Sequence, residues 1–226
     1  MSSSPKNASG RTNAPESESA GAAESSSAED LFAEVIEVDA GTLLRLHHRL
    51  ARSAEATGIL DIAYRTMDSP LGKLLLAATE QGLVRVAFAI EDHDLVLDTL
   101  ATRISARVLQ APARLDRAAR EIEDYLAGLR TGFDLPLDLR LSSGFRRTVL
   151  DHLPDIAYGA TASYSTVARA TGSPRAVRAV GTACARNPLP IVVPCHRVVR
   201  SDGTMGQYVG GTEAKQRLLR MEAAVS

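Results

Sequence analysis

The sequence has few of the features that mark secreted, membrane-spanning or metal-centred proteins. Only two of its 226 residues are cysteines, Cys184 and Cys195, so neither a disulfide framework nor a structural zinc site is expected. No apolar run approaches the roughly 20 residues that cross a bilayer, and the first residues lack the apolar core of a secretory signal. These absences predict a cytoplasmic protein with no membrane partner, no metal and no other cofactor.

Charge is divided unevenly along the chain. The net charge is −1, yet residues 145–226 contain eleven Lys and Arg against five Asp and Glu, which leaves −7 on the remainder. A basic C-terminal half suits a polyanionic partner such as DNA. Taken alone this signal is weak, because surface arginines often do no more than solvate a face.

The first quarter of the chain differs in composition from the rest. Residues 1–28 contain nine serines and no large aliphatic residue beyond Met1, which predicts a disordered tail. Residues 29–58 form a helical extension of one or two amphipathic helices, with an apolar set that includes Leu43, Leu46 and Leu50. No function is assigned to this extension.

Residues 60–140 show a mixed pattern of strands and helices. Two strands, 73–79 and 82–89, follow a turn at Ser69-Pro-Leu-Gly72, and two helices are predicted over 92–109 and 116–128. Strands followed by helices indicate a small α/β or α+β domain. Because it contains no candidate nucleophile, we interpret it as a scaffold for the next domain.

Residues 143–226 form a second domain with the pattern of a helix-turn-helix. A short helix over 165–170 ends at Thr171-Gly172, and Ser173 is predicted to cap a second helix with Pro174 at its first position. This second helix carries small residues and two projecting arginines: Arg175, Ala176, Arg178, Ala179 and Gly181. Such a helix can approach nucleic acid closely or pack tightly on another helix, and the pattern leaves both open.

A cysteine and a histidine stand side by side in the apolar run 191–199. A thiol attacks as thiolate, so Cys195 needs a base or a positive environment to lower its pKa, and His196 is the candidate base. Adjacent side chains usually point apart, so the proton is expected to pass through a water. Pro194 predicts a fixed turn that presents Cys195 at the end of a strand.

The residues around this pair carry further information through their spacing. They are Tyr158-Gly, Ser163-Tyr164, Ala168, Gly172-Ser-Pro-Arg-Ala-Val-Arg178-Ala-Val-Gly181, Arg186-Asn187-Pro188, Pro194-Cys-His-Arg-Val198, Gly203, Gly206, Tyr208, Gly210-Gly211, Lys215, Leu218-Leu219 and Glu222. This set resembles the O6-alkylguanine-DNA alkyltransferase family, also called methylated-DNA–protein-cysteine methyltransferases. The resemblance covers residues 144–226 without gaps and extends more loosely back to Ile62.

The resemblance implies both a fold and an activity. The fold is of the α/β (α+β) class: a small ribonuclease H-like α/β domain followed by a mainly helical, winged helix-turn-helix-like domain that binds double-stranded DNA. The implied activity is DNA repair, in which O6-alkylguanine, and by extension O4-alkylthymine, is flipped out of the duplex. The alkyl group passes irreversibly to Cys195, once per molecule. The protein is expected to act as a monomer, with clustering on DNA left open.

Roles for individual residues also follow from the resemblance. Arg178 fills the space vacated in the base stack, with Arg175, Ala176, Ala179 and Gly181 at the DNA surface. Tyr164 helps rotate the nucleotide and hydrogen-bonds the flipped guanine. Activation of Cys195 belongs to His196 and Glu222, whose helical register with Leu218 and Leu219 turns its carboxylate inward.

The remaining implied roles concern the pocket for the base. Asn187 links the recognition helix to the active-site loop, and Tyr208 with Gly210-Gly211 forms a wall of the pocket. The backbone carbonyls of Cys195 and Val198 read the guanine amino group, and the backbone N–H of Val209 donates to O6. Many relatives carry a small residue where this chain has Val209, so the rim of the pocket for the base is expected to be tighter here. Cys184 is interpreted as a packing residue.

Three other classes of function fit less well. A Cys–His hydrolase of the protease type requires a separated Cys and His and a different cysteine signature. A non-catalytic sensor of alkylated DNA lacks the cysteine of this motif. A transcriptional regulator carrying an activator region requires a cluster of cysteines in its extension, and residues 1–58 contain none.

Overall fold

The computed structural model describes residues 39–225. The predicted disordered tail and the first ten residues of the helical extension therefore lie outside the described residues. Internal contacts divide the chain into two units, Met1–Leu43 and Leu44–Ser226. Residues 60–140 and 143–226 both belong to the second unit, and their division into two domains stays a prediction.

Helix α1 (Ala40–Ala56) accounts for the described part of the helical extension. The sequence predicted one or two amphipathic helices over residues 29–58; the described part is a single helix, and its leucines are not its buried residues. Leu46 and Leu50 are more than half exposed, whereas Ala51 and Ala54 are buried. Small alanines, and not the leucines, therefore form the buried side of this helix.

A four-stranded sheet forms the centre of residues 60–140. Its strands are β1 (Ile62–Met67), β2 (Leu74–Thr79), β3 (Gly82–Phe88) and β4 (Val108–Gln110), in the order β3-β2-β1-β4. The β1–β2 and β2–β3 pairs are antiparallel, as expected for strands joined by short turns, and β4 lies parallel to β1.

Helix α2 (His93–Arg103) is shorter than the sequence indicated. The prediction carried it to residue 109, but Ile104 leaves the helical conformation and Val108 pairs with Ile62 in the sheet. A tertiary partner, the edge of β1, therefore decides the conformation of this segment. Helix α3 (Asp116–Leu126) agrees with its predicted position.

The two faces of the sheet are covered differently. Val96 and Leu100 of α2 pack on one face against Leu75 and Val84. The other face belongs to the larger core, which also includes α3 and the buried side chains of residues 143–225. Helix α3 thus shares a core with the C-terminal residues, which brings its side chains within reach of Cys195.

The C-terminal region is mainly helical. It contains α4 (Gly144–His152), α5 (Tyr164–Ala170), α6 (Val177–Ala185) and α7 (Gly211–Val225), with a short parallel pair of strands, β5 (Ala162–Ser163) and β6 (Val198–Val199). Helices α5 and α6 pack together around a short turn, as in a helix-turn-helix. The mixed α/β class predicted from the sequence is confirmed.

The start of α6 differs from the prediction. Ser173 does not cap it, because Ser173 O accepts from Ala176 N at 2.8 Å and closes a separate turn. Ala176, with φ −88° and ψ 27°, precedes the first helical residue Val177. Arg175 and Ala176 therefore lie in the turn before the helix. In the described part of the chain, no helix is both long and apolar enough to cross a membrane.

Candidate active site

The segment that carries Cys195 is buried along its whole length. Residues 187–199 are all buried, and Cys195–Arg197 form a single 3-10 turn that leads into β6. The turn expected from Pro194 is present, but Cys195 lies before a strand and not at the end of one. Ile191 adopts a positive φ of 75°, a conformation that is unusual for a β-branched residue. Such a backbone persists only because the surrounding packing holds it.

Asn187 holds this segment and touches the sulfur. Its Nδ2 donates to Val193 O at 2.8 Å and to Cys195 Sγ at 3.1 Å, while its Oδ1 accepts from Leu189 N at 2.9 Å. The side chain is only 1% exposed. Asn187 therefore supports the loop, as the sequence indicated, and in addition supplies a hydrogen-bond donor to the thiol.

The cysteine is neutral in the resting protein. Burial raises the pKa of Cys195 to about 11, against a smaller lowering by the hydrogen bond from Asn187. Burial also lowers the pKa of His196, although the hydrogen bond and charge of Glu222 oppose that effect. The sequence indicated that a reactive Cys195 requires a base or a positive environment; Asn187 and Lys215 do lower the pKa of the thiol here, but complete burial outweighs them.

The network fixes the tautomer of His196. Its Nε2 lies 2.5 Å from Oε1 of Glu222, and because an ionised carboxylate only accepts hydrogen bonds, we assign the ring proton to Nε2. Nδ1 then carries the lone pair; it is buried and has no hydrogen-bond partner within residues 39–225. No direct hydrogen bond joins the imidazole to Sγ in this range, as expected for adjacent side chains.

Glu222 is buried on α7 among donors. Besides His196, its carboxylate accepts from Tyr125 OH, from Nε and Nη2 of Arg197 at 2.9 and 3.3 Å, and from Gly159 N at 3.1 Å. Burial opposes its ionisation, but the hydrogen bonds from His196, Arg197 and Tyr125 outweigh that effect and lower the pKa of Glu222 to about 2. The inward orientation predicted from helical register is present.

Three buried residues of the site were missed by the sequence reasoning. Arg197 pairs with Glu222, Tyr125 reaches it from α3, and Lys215 Nζ donates to Val198 O at 2.5 Å. A signal existed for each of them. Arg197 lies in an apolar run and Lys215 on an apolar helix face, and charged residues at such positions must be paired. Tyr125 lies on the buried face of a helix, where the hydroxyl of a tyrosine usually finds a hydrogen-bond partner.

Aromatic rings surround the space beside Cys195. The Tyr208 ring lies 6.3 Å from the His196 ring and 5.7 Å from the Phe88 ring, both edge-to-face. Gly206 and Gly210 allow this packing: a Cβ at Gly206 would collide with the Tyr164 hydroxyl, and one at Gly210 would lie 2.6 Å from the Phe88 ring. The structure thus brings Tyr164, Tyr208 and the glycine-containing loop together.

The structure also places two of the residues that are predicted to contact the base through their backbones, Val198 and Val209. Val198 O already accepts from Lys215, but a carbonyl oxygen has a second lone pair for a ligand donor. Val209 is half-buried and, together with Asn187, lines a cavity of about 320 Å³. Cys195, His196 and Tyr208 do not line this cavity, so the effect of Val209 on the pocket for the base stays a prediction.

Helix α6 and the turn that precedes it have a buried side and an exposed side. Val180, Ala183 and Cys184 are buried, whereas Arg175, Arg178 and Ala179 are exposed, and Ala176 and Gly181 are half-buried. Burial raises the pKa of Cys184 well above its usual range, which favours the neutral thiol form. Within residues 39–225 no group of three His, Cys, Asp or Glu side chains could hold a metal ion.

Fold and site together define a helix-turn-helix protein with a buried Cys–His–Glu arrangement suited to group transfer onto sulfur. Two family models match it: the 6-O-methylguanine DNA methyltransferase ribonuclease-like domain over residues 62–139 and the DNA-binding domain of the same family over residues 144–224. These matches cover more than half of the chain. The chain belongs to the 6-O-methylguanine DNA methyltransferase family.

Two relatives are about two fifths identical to this chain over the aligned residues. The methylated-DNA--protein-cysteine methyltransferase of Mycolicibacterium paratuberculosis is 40% identical over 71% of this chain and 92% of its own length. The bifunctional transcriptional activator/DNA repair enzyme Ada of Escherichia coli is 38% identical over 73% of this chain. This chain covers only 46% of Ada, so it spans about half the length of that relative.

Solved structures of relatives have the same fold. A crystal structure of Mycobacterium tuberculosis OGT in complex with DNA superposes with a TM-score of 0.63 at 36% identity, covering 73% of this chain and 94% of that chain. A structure of O6-methylguanine methyltransferase from the same organism gives a TM-score of 0.65 at 35% identity, with the same coverage.

Proposed function

We propose that this protein repairs O6-alkylguanine in double-stranded DNA by transferring the alkyl group to Sγ of Cys195. The observation that carries the proposal is the buried set formed by Cys195, Asn187, His196 and Glu222, on a chain that belongs to the 6-O-methylguanine DNA methyltransferase family. DNA is the proposed partner, supported by the DNA complex of the relative OGT. One chain is expected to serve one lesion.

The first part of the mechanism is removal of the thiol proton. Because the resting thiol and imidazole are both neutral, the proton moves as the sulfur attacks, through a water to Nδ1 of His196. Glu222 holds Nε2–H and stabilises the imidazolium that forms. Asn187 Nδ2 supports the developing charge on Sγ, since its hydrogen bond is already in place.

The second part is the transfer itself. A bond forms between Sγ and the alkyl carbon while the bond between that carbon and guanine O6 breaks. The electron pair of the broken bond goes to guanine, and the proton taken from the thiol balances that charge and leaves guanine restored. In this proposal the N–H of Val209 donates to O6, and the carbonyls of Cys195 and Val198 accept from the guanine amino group.

The third part is access to the base. Guanine O6 is stacked inside the duplex, and extrusion of a nucleotide costs a few kcal/mol, less at a weakly paired lesion. Arg178 is exposed on α6 and is proposed to enter the vacated stack, with Arg175, Ala176, Ala179 and Gly181 beside the DNA. Tyr164 is proposed to guide the rotating nucleotide toward Cys195.

The product explains why one chain acts once. A thioether on Cys195 is not removed by ordinary cellular reductants. The test is mass spectrometry after incubation with a duplex that contains O6-methylguanine: one added methyl group per chain, located on Cys195, is expected. Turnover beyond one equivalent, or a methyl group on Cys184, would contradict the proposal. Cys195→Ser is the matched control, expected to bind the lesion and transfer nothing.

A further inference from the structure

Helix α3 belongs to the region that the sequence reasoning treated as a scaffold, yet one of its side chains enters the catalytic network. Tyr125 is completely buried, and its hydroxyl donates to Oε1 of Glu222. The same hydroxyl lies 3.5 Å from Nε2 of His196 and 3.4 Å from Nη2 of Arg197. Oε1 is therefore the oxygen on which Tyr125, His196 and Arg197 converge.

This hydroxyl is held firmly in position. The ring of Tyr125 packs against Phe133 with centroids 4.8 Å apart and against Tyr158, edge-to-face, at 5.9 Å. With its ring fixed on both sides, the hydroxyl has one carboxylate oxygen within reach. Burial, followed by the hydrogen bond to Glu222, raises the pKa of Tyr125 well above its usual range, so the hydroxyl stays a donor at every physiological pH.

We propose that Tyr125 is a positioning residue for alkyl transfer. It fixes the carboxylate of Glu222 and limits how strongly that carboxylate stabilises the protonated imidazole of His196. The inference rests on the proposed function, because it assigns a role within the same reaction. It also gives the N-terminal α/β region a part in the chemistry. Tyr125 touches neither the base nor the sulfur, and its effect passes through Glu222.

The direction of the effect follows from the hydrogen bonds. Without the Tyr125 donor, Oε1 carries more negative charge and attracts the imidazolium form of His196 more strongly. The histidine then gains its proton at higher pH, and a protonated His196 cannot accept the thiol proton. The other titratable or charged groups that face His196 and Glu222 stay unchanged; they are Arg197 and Cys195 in the turn, Lys215 on α7, and Tyr158 and Tyr208 in the adjoining loops.

The chain offers a matched control for this test. Tyr158 packs edge-to-face on Tyr125, and its hydroxyl is buried without a hydrogen-bond partner among the described residues. Tyr125→Phe and Tyr158→Phe each remove one hydroxyl from the same cluster and keep the ring. Only the first removes a donor to Glu222, so any difference between them reports that hydrogen bond.

The experiment measures the rate of alkyl transfer from pH 5 to 9 for the wild-type chain and both variants, with a duplex and with free O6-benzylguanine. Tyr125→Phe is expected to slow transfer about tenfold to hundredfold on both substrates, because the carboxylate that orients His196 is no longer fixed; this is the range known for partners that orient metal-binding histidines. On the acid side of the pH–rate profile, the fall in rate is expected at higher pH for Tyr125→Phe than for the wild type. Tyr158→Phe is expected to follow the wild type.

The pH at which the rate falls on the acid side decides the outcome. If the rate falls at the same acid pH in all three proteins, the proposal is overturned, even if Tyr125→Phe is slower. A packing defect would lower the rate without changing the pKa of His196. A wild-type chain that transfers no alkyl group instead contradicts the proposed function. The two failures are therefore distinguishable in a single set of measurements.

Discussion

Replacing Glu222 by glutamine is the most informative single change, because it keeps the shape of the side chain and removes its charge. The amide keeps one accepting oxygen and directs an NH2 group toward donors from His196 and Arg197. Arg197, only 6% exposed, then lies buried without its carboxylate. Both consequences destabilise the folded state.

The structure gives the size of this effect in two ways. Holding the pKa of Glu222 near 2 in place of its usual 4.5 corresponds to about 3 kcal/mol of unfolding free energy at neutral pH. Removing one partner of a buried ion pair costs about 3 to 5 kcal/mol. We therefore expect Glu222→Gln to lose about 3 kcal/mol or more at pH 7.

The pH dependence has a definite sign. The folded-state pKa of Glu222 is depressed, so its contribution is present in full above about pH 4.5 and is lost as the pH falls toward about 2. The gap in unfolding free energy between wild type and Glu222→Gln is expected to be constant from pH 7 to about 5.5 and then to narrow.

Denaturant unfolding at several pH values provides the assay. Glu123→Gln, which changes an exposed acid on α3, is the control and is expected to stay within about 0.5 kcal/mol of the wild type. A gap below about 1 kcal/mol at pH 7 for Glu222→Gln, or one that does not narrow in acid, would show that the charge of the buried carboxylate does not stabilise the folded state.

Three further changes test other parts of the site. Arg178→Ala is expected to slow repair of a duplex at least tenfold and to leave reaction with the free base within about twofold, because only the duplex requires extrusion; equal losses in the two rate assays would assign Arg178 to folding. Asn187→Ala removes the donor to Sγ, so the pKa of Cys195 is expected to rise further and its alkylation by iodoacetamide at pH 8 to slow; an unchanged titration curve would remove Asn187 from thiol activation. Gly206→Ala places a methyl group against the Tyr164 hydroxyl and is expected to cost about 1 to 3 kcal/mol of stability and to weaken lesion binding; a gel-shift affinity equal to that of the wild type would show that this contact is not needed.

Much of the catalytic arrangement could be predicted from the sequence because its members lie at close and characteristic spacings. The role of Asn187 followed from the family resemblance, whereas Cys195 and His196 are neighbours and the register of Glu222 on a helix turns it inward. Local rules of this kind depend only on helix period and on which residue types carry chemistry. The turn at Ser69–Gly72 and strands β2 and β3 were predictable for the same reason.

Contacts between distant segments were decided by the tertiary structure alone. Tyr125 lies 97 residues from Glu222, and no spacing rule connects a tyrosine on α3 with a carboxylate on α7. Strand β4 exists because Ile62 offers an edge to Val108, which overrides the helical pattern of the preceding residues. The neutral state of Cys195 depends on its complete burial, a property of packing and not of the Cys–His pair. Sequence determines which groups are available at short range, whereas solvent exclusion and long-range hydrogen bonds, which set their pKa values, arise only when the chain is folded.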